Sequence, residues 1–175
     1  VDKARALWWM ERAAEVGGDP EIMFFCGQMY DDGDGVPVDK ARALQWYERS
    51  ARYGYPQAQF FCGVMYNGGE GTAVDKHKAI SWYELAAQQG HYVAQFNCGI
   101  MYENGDSVPV DEERALMWYE KSARQGYTKA QFNCGGMYNN GKGTPVDKAR
   151  ALQWYEAAAK QNFAPAQLQC GVMHL

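Results

Sequence analysis

The chain of 175 residues lacks an excess of positive charge, lacks long apolar runs and has few histidines and serines. Its formal net charge is −4 and its sequence pI about 5.4, so the basic balance of a nucleic-acid-binding domain is missing. No apolar stretch approaches the roughly 20 residues of a membrane span, which argues against membrane insertion. Histidine occurs only as His77, His91 and His174, and serine only as Ser50, Ser81, Ser107 and Ser122. No nucleophile, base and orienting group can be assembled from segments that recur with so little difference. The expectation is a non-enzyme that uses no cofactor and no metal. A secretory leader is not evident. Because the chain starts at Val1, inside a motif that recurs later, it reads as an excerpt from a longer protein.

What is there is repetition. "VDKARAL" stands at 1–7, 38–44 and 146–152, with variants at 74–80 and 110–116. This divides the chain into repeat 1 (1–37), repeat 2 (38–73), repeat 3 (74–109), repeat 4 (110–145) and a truncated repeat 5 (146–175). Such a period belongs to stacked supersecondary units, none of which can bury its apolar face alone. Each repeat reads as two helices, A and B. In repeat 2, Asp39 is a good N-cap, and Ala43, Leu44, Trp46, Tyr47 and Ala51 follow at helical spacing. Gly54 stops this helix in the left-handed conformation, with Gly17, Gly90, Gly126 and Asn162 expected to do the same elsewhere. Pro56 suits the first turn of the second helix, where Ala58, Phe60, Phe61, Cys62, Met65 and Tyr66 form the apolar pattern. Helix A is expected over about 39–53 and helix B over about 56–67. The fold expected is an all-α solenoid of five helix-turn-helix repeats.

Every repeat carries one cysteine followed by glycine: Cys26, Cys62, Cys98, Cys134 and Cys170. A metal site needs several ligands converging on one point, and these cysteines have no partnered histidine. Equivalent helices of a solenoid lie roughly 9–10 Å apart, beyond the roughly 7 Å that a disulfide spans between Cα atoms. The cysteines therefore read as small buried hydrophobes. Unpaired thiols suit a reducing, cytoplasmic-type compartment. A glycine inside a helix costs about 1 kcal/mol relative to alanine, so its recurrence marks a place where a neighbouring helix comes too close for a Cβ. The tryptophan column Trp9, Trp46, Trp82, Trp118 and Trp154 reads as core. "DDGDG" at 31–35 lacks the ligand spacing of a calcium loop and reads as a turn.

Together these residues resemble the Sel1-like repeat, a relative of the tetratricopeptide repeat. In repeat 3 the resemblance rests on Ala79, Trp82, Tyr83, Ala86, Ala87, Gly90, Ala94, Gln95, Gly99, Tyr102 and Gly105, and it extends over essentially the whole chain. Cysteine stands where the family has leucine before glycine, and repeat 1 has Ile22 and Met23 in place of Ala-Gln, plus one extra turn residue within 17–20. Some cysteine-rich members pair two cysteines per repeat, whereas this chain has one. The resemblance implies a right-handed superhelix with helix A lining its concave side, and an adaptor role without catalysis.

On that view function resides where the repeats differ. The outward face of helix A holds Trp8, Arg12, Arg42, Gln45, Arg49, Arg52, Tyr53, Lys78, Leu85, Met117, Lys121, Arg124, Arg150 and Lys160. It is mildly basic on an acidic chain and carries apolar residues where solvent is expected. Arginine and aromatic residues are common binding hot spots, so the expected partner is a protein or peptide segment, acidic or amphipathic. Against this, Glu48–Arg52, Glu120–Arg124 and Glu156–Lys160 are favourable (i, i+4) pairs worth about 0.2–0.5 kcal/mol each, as on any solvated face. The alternative is a structural spacer in a longer array, with end-to-end self-association through its uncapped terminal repeats.

Overall fold

The computed structural model describes residues 2–175 and contains ten α-helices, with no strand among the described residues. The A helices are α1 (Lys3–Gly17), α3 (Lys40–Arg52), α5 (Lys76–Gln88), α7 (Glu112–Arg124) and α9 (Lys148–Ala159). The B helices are α2 (Pro20–Asp32), α4 (Pro56–Gly68), α6 (Tyr92–Asn104), α8 (Thr128–Asn140) and α10 (Ala164–Met173). The protein is an all-α helical-repeat solenoid. It divides into two compact units, Val1–Gln89 and Gly90–Leu175.

Helix A starts the same way in every repeat. Asp2, Asp39, Asp75, Asp111 and Asp147 each accept a hydrogen bond from the backbone N–H three residues on, which satisfies an otherwise orphaned donor of the first turn. The N–H groups of Asp39, Asp75, Asp111 and Asp147 in turn donate to the carbonyls of Tyr30, Tyr66, Tyr102 and Tyr138, which ties each helix A to the end of the preceding helix B. Helix A stops at a left-handed residue: Gly54 at φ 86°, Gly90 at 93°, Gly126 at 90° and Asn162 at 62°. In repeat 1 that role falls to Gly18 (φ 64°), not Gly17, which remains helical. The extra residue lets α1 continue past the point where the other A helices end.

In the first unit, α2 packs against α3 and α4 against α5, each more extensively than α3 packs against α4. Tyr47 and Tyr83 each lie against a glycine of the preceding helix B. A Cβ on Gly27 or Gly63 would come within 2.6 Å of the ring. The second unit repeats this, with Tyr119 against Gly99 and Tyr155 against Gly135. The helical glycine thus makes room for a tyrosine ring; it is the side chain of the next helix A, more than its backbone, that excludes the Cβ.

The first four cysteine side chains are buried in the core. Burial pushes the Cys26 thiol up to about 12 and raises those of Cys62 and Cys134 as well. Cys170 is partly exposed and its pKa is raised by a similar but weaker desolvation. A thiol reacts as the thiolate, so a disulfide reagent is expected to titrate about one thiol, Cys170, in the native chain. All five cysteines should react after unfolding. Rapid native labelling of Cys62 or Cys134 would contradict the burial. The tryptophan column divides. Trp46 and Trp118 are buried and Trp82 and Trp154 half-buried, but Trp9 is 58% exposed. No helix B precedes α1 among the described residues, and the ring of Trp9 rests edge-on against Trp8, with centroids 4.5 Å apart.

Candidate functional site

The expected basic residues of α3, α5, α7 and α9 fall into two groups. The first occupies the first turn. Arg42 spans the cap, its Nε 3.4 Å from Asp39. Its Nη1 donates to the Tyr30 hydroxyl (3.3 Å), which itself donates to Glu11 (2.9 Å). Arg150 does the same in the second unit, with Asp147 at 3.3 Å and the Tyr138 hydroxyl at 3.4 Å, and Tyr138 donates to Glu120. Lys78 stands over the Tyr66 ring at 4.8 Å. These three side chains belong to junctions between repeats. Their counterpart Arg114, absent from the residues singled out above, makes the same bond to Tyr102.

The second group occupies the last turn, and only α3 and α7 have basic residues there. Arg49 lies over Trp46 at 4.3 Å and Lys121 over Trp118 at 4.4 Å, so a cation covers each buried indole. Arg52 pairs with Glu48 (3.4 Å) and Arg124 with Glu120 (2.6 Å). Both glutamates also accept from a helix B tyrosine, Glu48 from Tyr66 and Glu120 from Tyr138, at 2.5 Å. Desolvation, aided by the bond to Glu48, pushes Tyr66 up to about 12, so the tyrosine remains a donor at neutral pH. Glu156 does not follow this scheme and faces His174 Nε2 at 4.0 Å. The cations at these helix C-termini also lie at the negative end of the helix dipole.

The remaining expected residues are exposed. Trp8 is covered by Arg12 at 4.6 Å, while Gln45, Leu85, Met117 and Lys160 face solvent. Tyr53 is 64% exposed. In the first unit Arg49, Arg52 and Tyr53 meet Met23 around an open hollow of about 340 Å³.

One recurring element lay outside the expectation. Gln59 and Gln131 donate to the Ala51 and Ala123 carbonyls of their own repeats, both at 3.2 Å. The side-chain oxygens of Gln59, Gln95 and Gln131 accept from Gln89, Gln125 and Gln161, just past the end of the following helix A, at 2.7–2.9 Å. The signal was present in the recurrence of Gln after Ala in helix B and of Gln before the left-handed stop.

Among the described residues no helix is long and apolar enough to cross a membrane, and no group of His, Cys, Asp or Glu could hold a metal. Comparison with curated proteins gives no match. Among solved structures the chain is similar to c5321, a protective antigen of uropathogenic Escherichia coli with an SLR fold, at 32% identity and a TM-score of 0.94, covering 98% of this chain and 37% of that one. It is similar to a Sel1 repeat protein from Oxalobacter formigenes at 35% identity and a TM-score of 0.87, covering 98% and 49%. Cysteine rich protein B of Helicobacter pylori, at 21% identity and a TM-score of 0.59 over 80% of this chain and 98% of that one, shares the fold alone. The chain thus spans less than half the length of the first two. The Sel1 repeat model matches residues 1–18, 20–55, 56–91, 93–127 and 128–163, and the chain belongs to the Sel1 repeat family.

Proposed function

We propose that the chain is a protein-interaction scaffold that captures an acidic or amphipathic partner segment on the outward face of its A helices. Sel1 repeat proteins generally mediate protein–protein interactions and are in general non-enzymatic scaffolds. The observation that carries the reading is the duplicated last-turn arrangement of α3 and α7. There Arg49, Arg52, Lys121 and Arg124 are positioned by Trp46, Glu48, Trp118 and Glu120, and Tyr53 and Met117 stand exposed on the same helices or at their ends. Held cations beside exposed apolar groups lose little entropy on meeting a carboxylate. Pull-down from the source lysate, read by mass spectrometry, compares the native chain with R49E/R52E/K121E/R124E. A partner held by the native chain is expected to be lost by the variant while helical content by circular dichroism is unchanged. Equal recovery by both sinks this reading.

The second reading is a spacer whose partners are further repeats. Trp9 on α1 and Leu168 and Val172 on α10 are all exposed apolar residues, and they favour end-to-end association. Light scattering that gives a monomer mass over the micromolar range would remove it.

A further inference from the structure

Three departures from the repeat pattern converge on one place. Met23 stands where later repeats have Gln59, Gln95 and Gln131, and Tyr53 stands where they have Gln89, Gln125 and Gln161. The third departure, the extra residue of repeat 1, lies beside them. A Cβ on Gly18 would lie 3.6 Å from the Tyr53 hydroxyl, so the tyrosine leans over that glycine. Elsewhere the glutamine pair closes the junction with hydrogen bonds. Here no such pair can form, and the about 340 Å³ hollow opens, with Met23 and Tyr53 as apolar walls and Arg49 and Arg52 as its charged ones.

We propose that this hollow is an anchor pocket for one large apolar side chain of an acidic segment, an inference that rests on the groove reading above. Met23 is buried and unbranched, and adapts to the shape of an inserted group. Tyr53 offers a ring face with few rotamers to lose. The two arginines lie on the wall of the same hollow, so carboxylates next to the inserted residue meet them while the apolar group is desolvated. Arg52 keeps Glu48 as its partner, which leaves Arg49, held over Trp46, as the cation nearest to uncommitted. A segment with acidic residues on both sides of one aromatic residue matches this distribution. A uniformly acidic segment leaves the hollow unfilled.

The test uses fluorescence anisotropy with two fluorescein-labelled pentapeptides. One has phenylalanine between two pairs of glutamates, and the other has serine in its place. Burial of one aromatic side chain predicts that the native chain binds the phenylalanine peptide at least about tenfold more tightly. M23Q/Y53Q recreates the residue pair of the other junctions and leaves all four basic residues in place. It is expected to bind both peptides alike, at the affinity of the serine peptide. Tyr53→Gln alone, at an exposed position, should lower the preference severalfold and serves as the measure if the double variant does not fold. Equal binding of both peptides by the native chain, or a preference that survives Tyr53→Gln unchanged, overturns the pocket. Neither result touches the groove reading, which stands or falls with the charge-reversed variant.

Discussion

Tyr47→Ala is expected to destabilise the first unit by roughly 3–5 kcal/mol, the range for removing a large buried aromatic side chain. The ring is fully buried. It packs 5.4 Å from Phe24 and 5.2 Å from Phe61, centroid to centroid, and fills the space kept open by Gly27. Three helices, α2, α3 and α4, meet at it through Phe24, Gly27 and Phe61. The hydroxyl contributes little, because its bond to Asp31 is long at 3.4 Å and Asp31 has Lys40 at 2.7 Å as a better partner. Tyr47→Phe should therefore cost under about 1 kcal/mol. Urea unfolding followed by circular dichroism measures both. Since each repeat of a solenoid touches only its neighbours, the transition need not be two-state. Hydrogen exchange should accordingly localise the loss of protection in Tyr47→Ala to α2, α3 and α4. A loss below about 1 kcal/mol for the alanine variant would show that this contact does not couple the repeats.

The elements were legible in the sequence because their signals are local. Asp39, Gly54 and Pro56 mark where helix A begins, where it ends and where helix B begins, and the helices Lys40–Arg52 and Pro56–Gly68 agree with expectation to within a residue or two. What needs knowledge of which repeat faces which was not legible. The glycine after each of the first four cysteines was correctly read as a close approach, while Gly171 has open space around it; the approaching group, a tyrosine about 20 residues on, becomes visible only once α2 is laid against α3. The glutamine pairs span 30 residues, and no periodicity of a single helix reveals them. Exposure on the outward face was read well for Tyr53, Leu85 and Met117. Engagement was not. Arg42 and Arg150 look free on a helical wheel, yet each is held by a tyrosine of the preceding repeat. Gly17 and Trp9 both lie in α1, where the reading failed: the extra residue moves the left-handed stop to Gly18, and among the described residues no helix B packs over Trp9.

The sharpest consequence of the tyrosine–glycine contact concerns two adjacent residues of α8, Gly135 and Gly136, which should respond to the same substitution with opposite sign. A Cβ on Gly135 would lie 2.6 Å from the ring of Tyr155. That ring is buried and held by Phe132 and cannot swing away. Overpacking of this kind costs about 1–3 kcal/mol, more than the helix propensity gained. A Cβ on Gly136 meets only the Tyr155 hydroxyl, at an ordinary 3.7 Å, so alanine there keeps the contact and gains the full propensity difference of about 1 kcal/mol. Gly135→Ala should lower the urea midpoint of the second unit and Gly136→Ala should raise it. Tyr155→Ala in the Gly135→Ala background separates clash from propensity, because without the ring the alanine has room and should become neutral or stabilising. A Gly135→Ala variant at least as stable as the native chain would mean that the repeated glycine serves something other than the tyrosine ring.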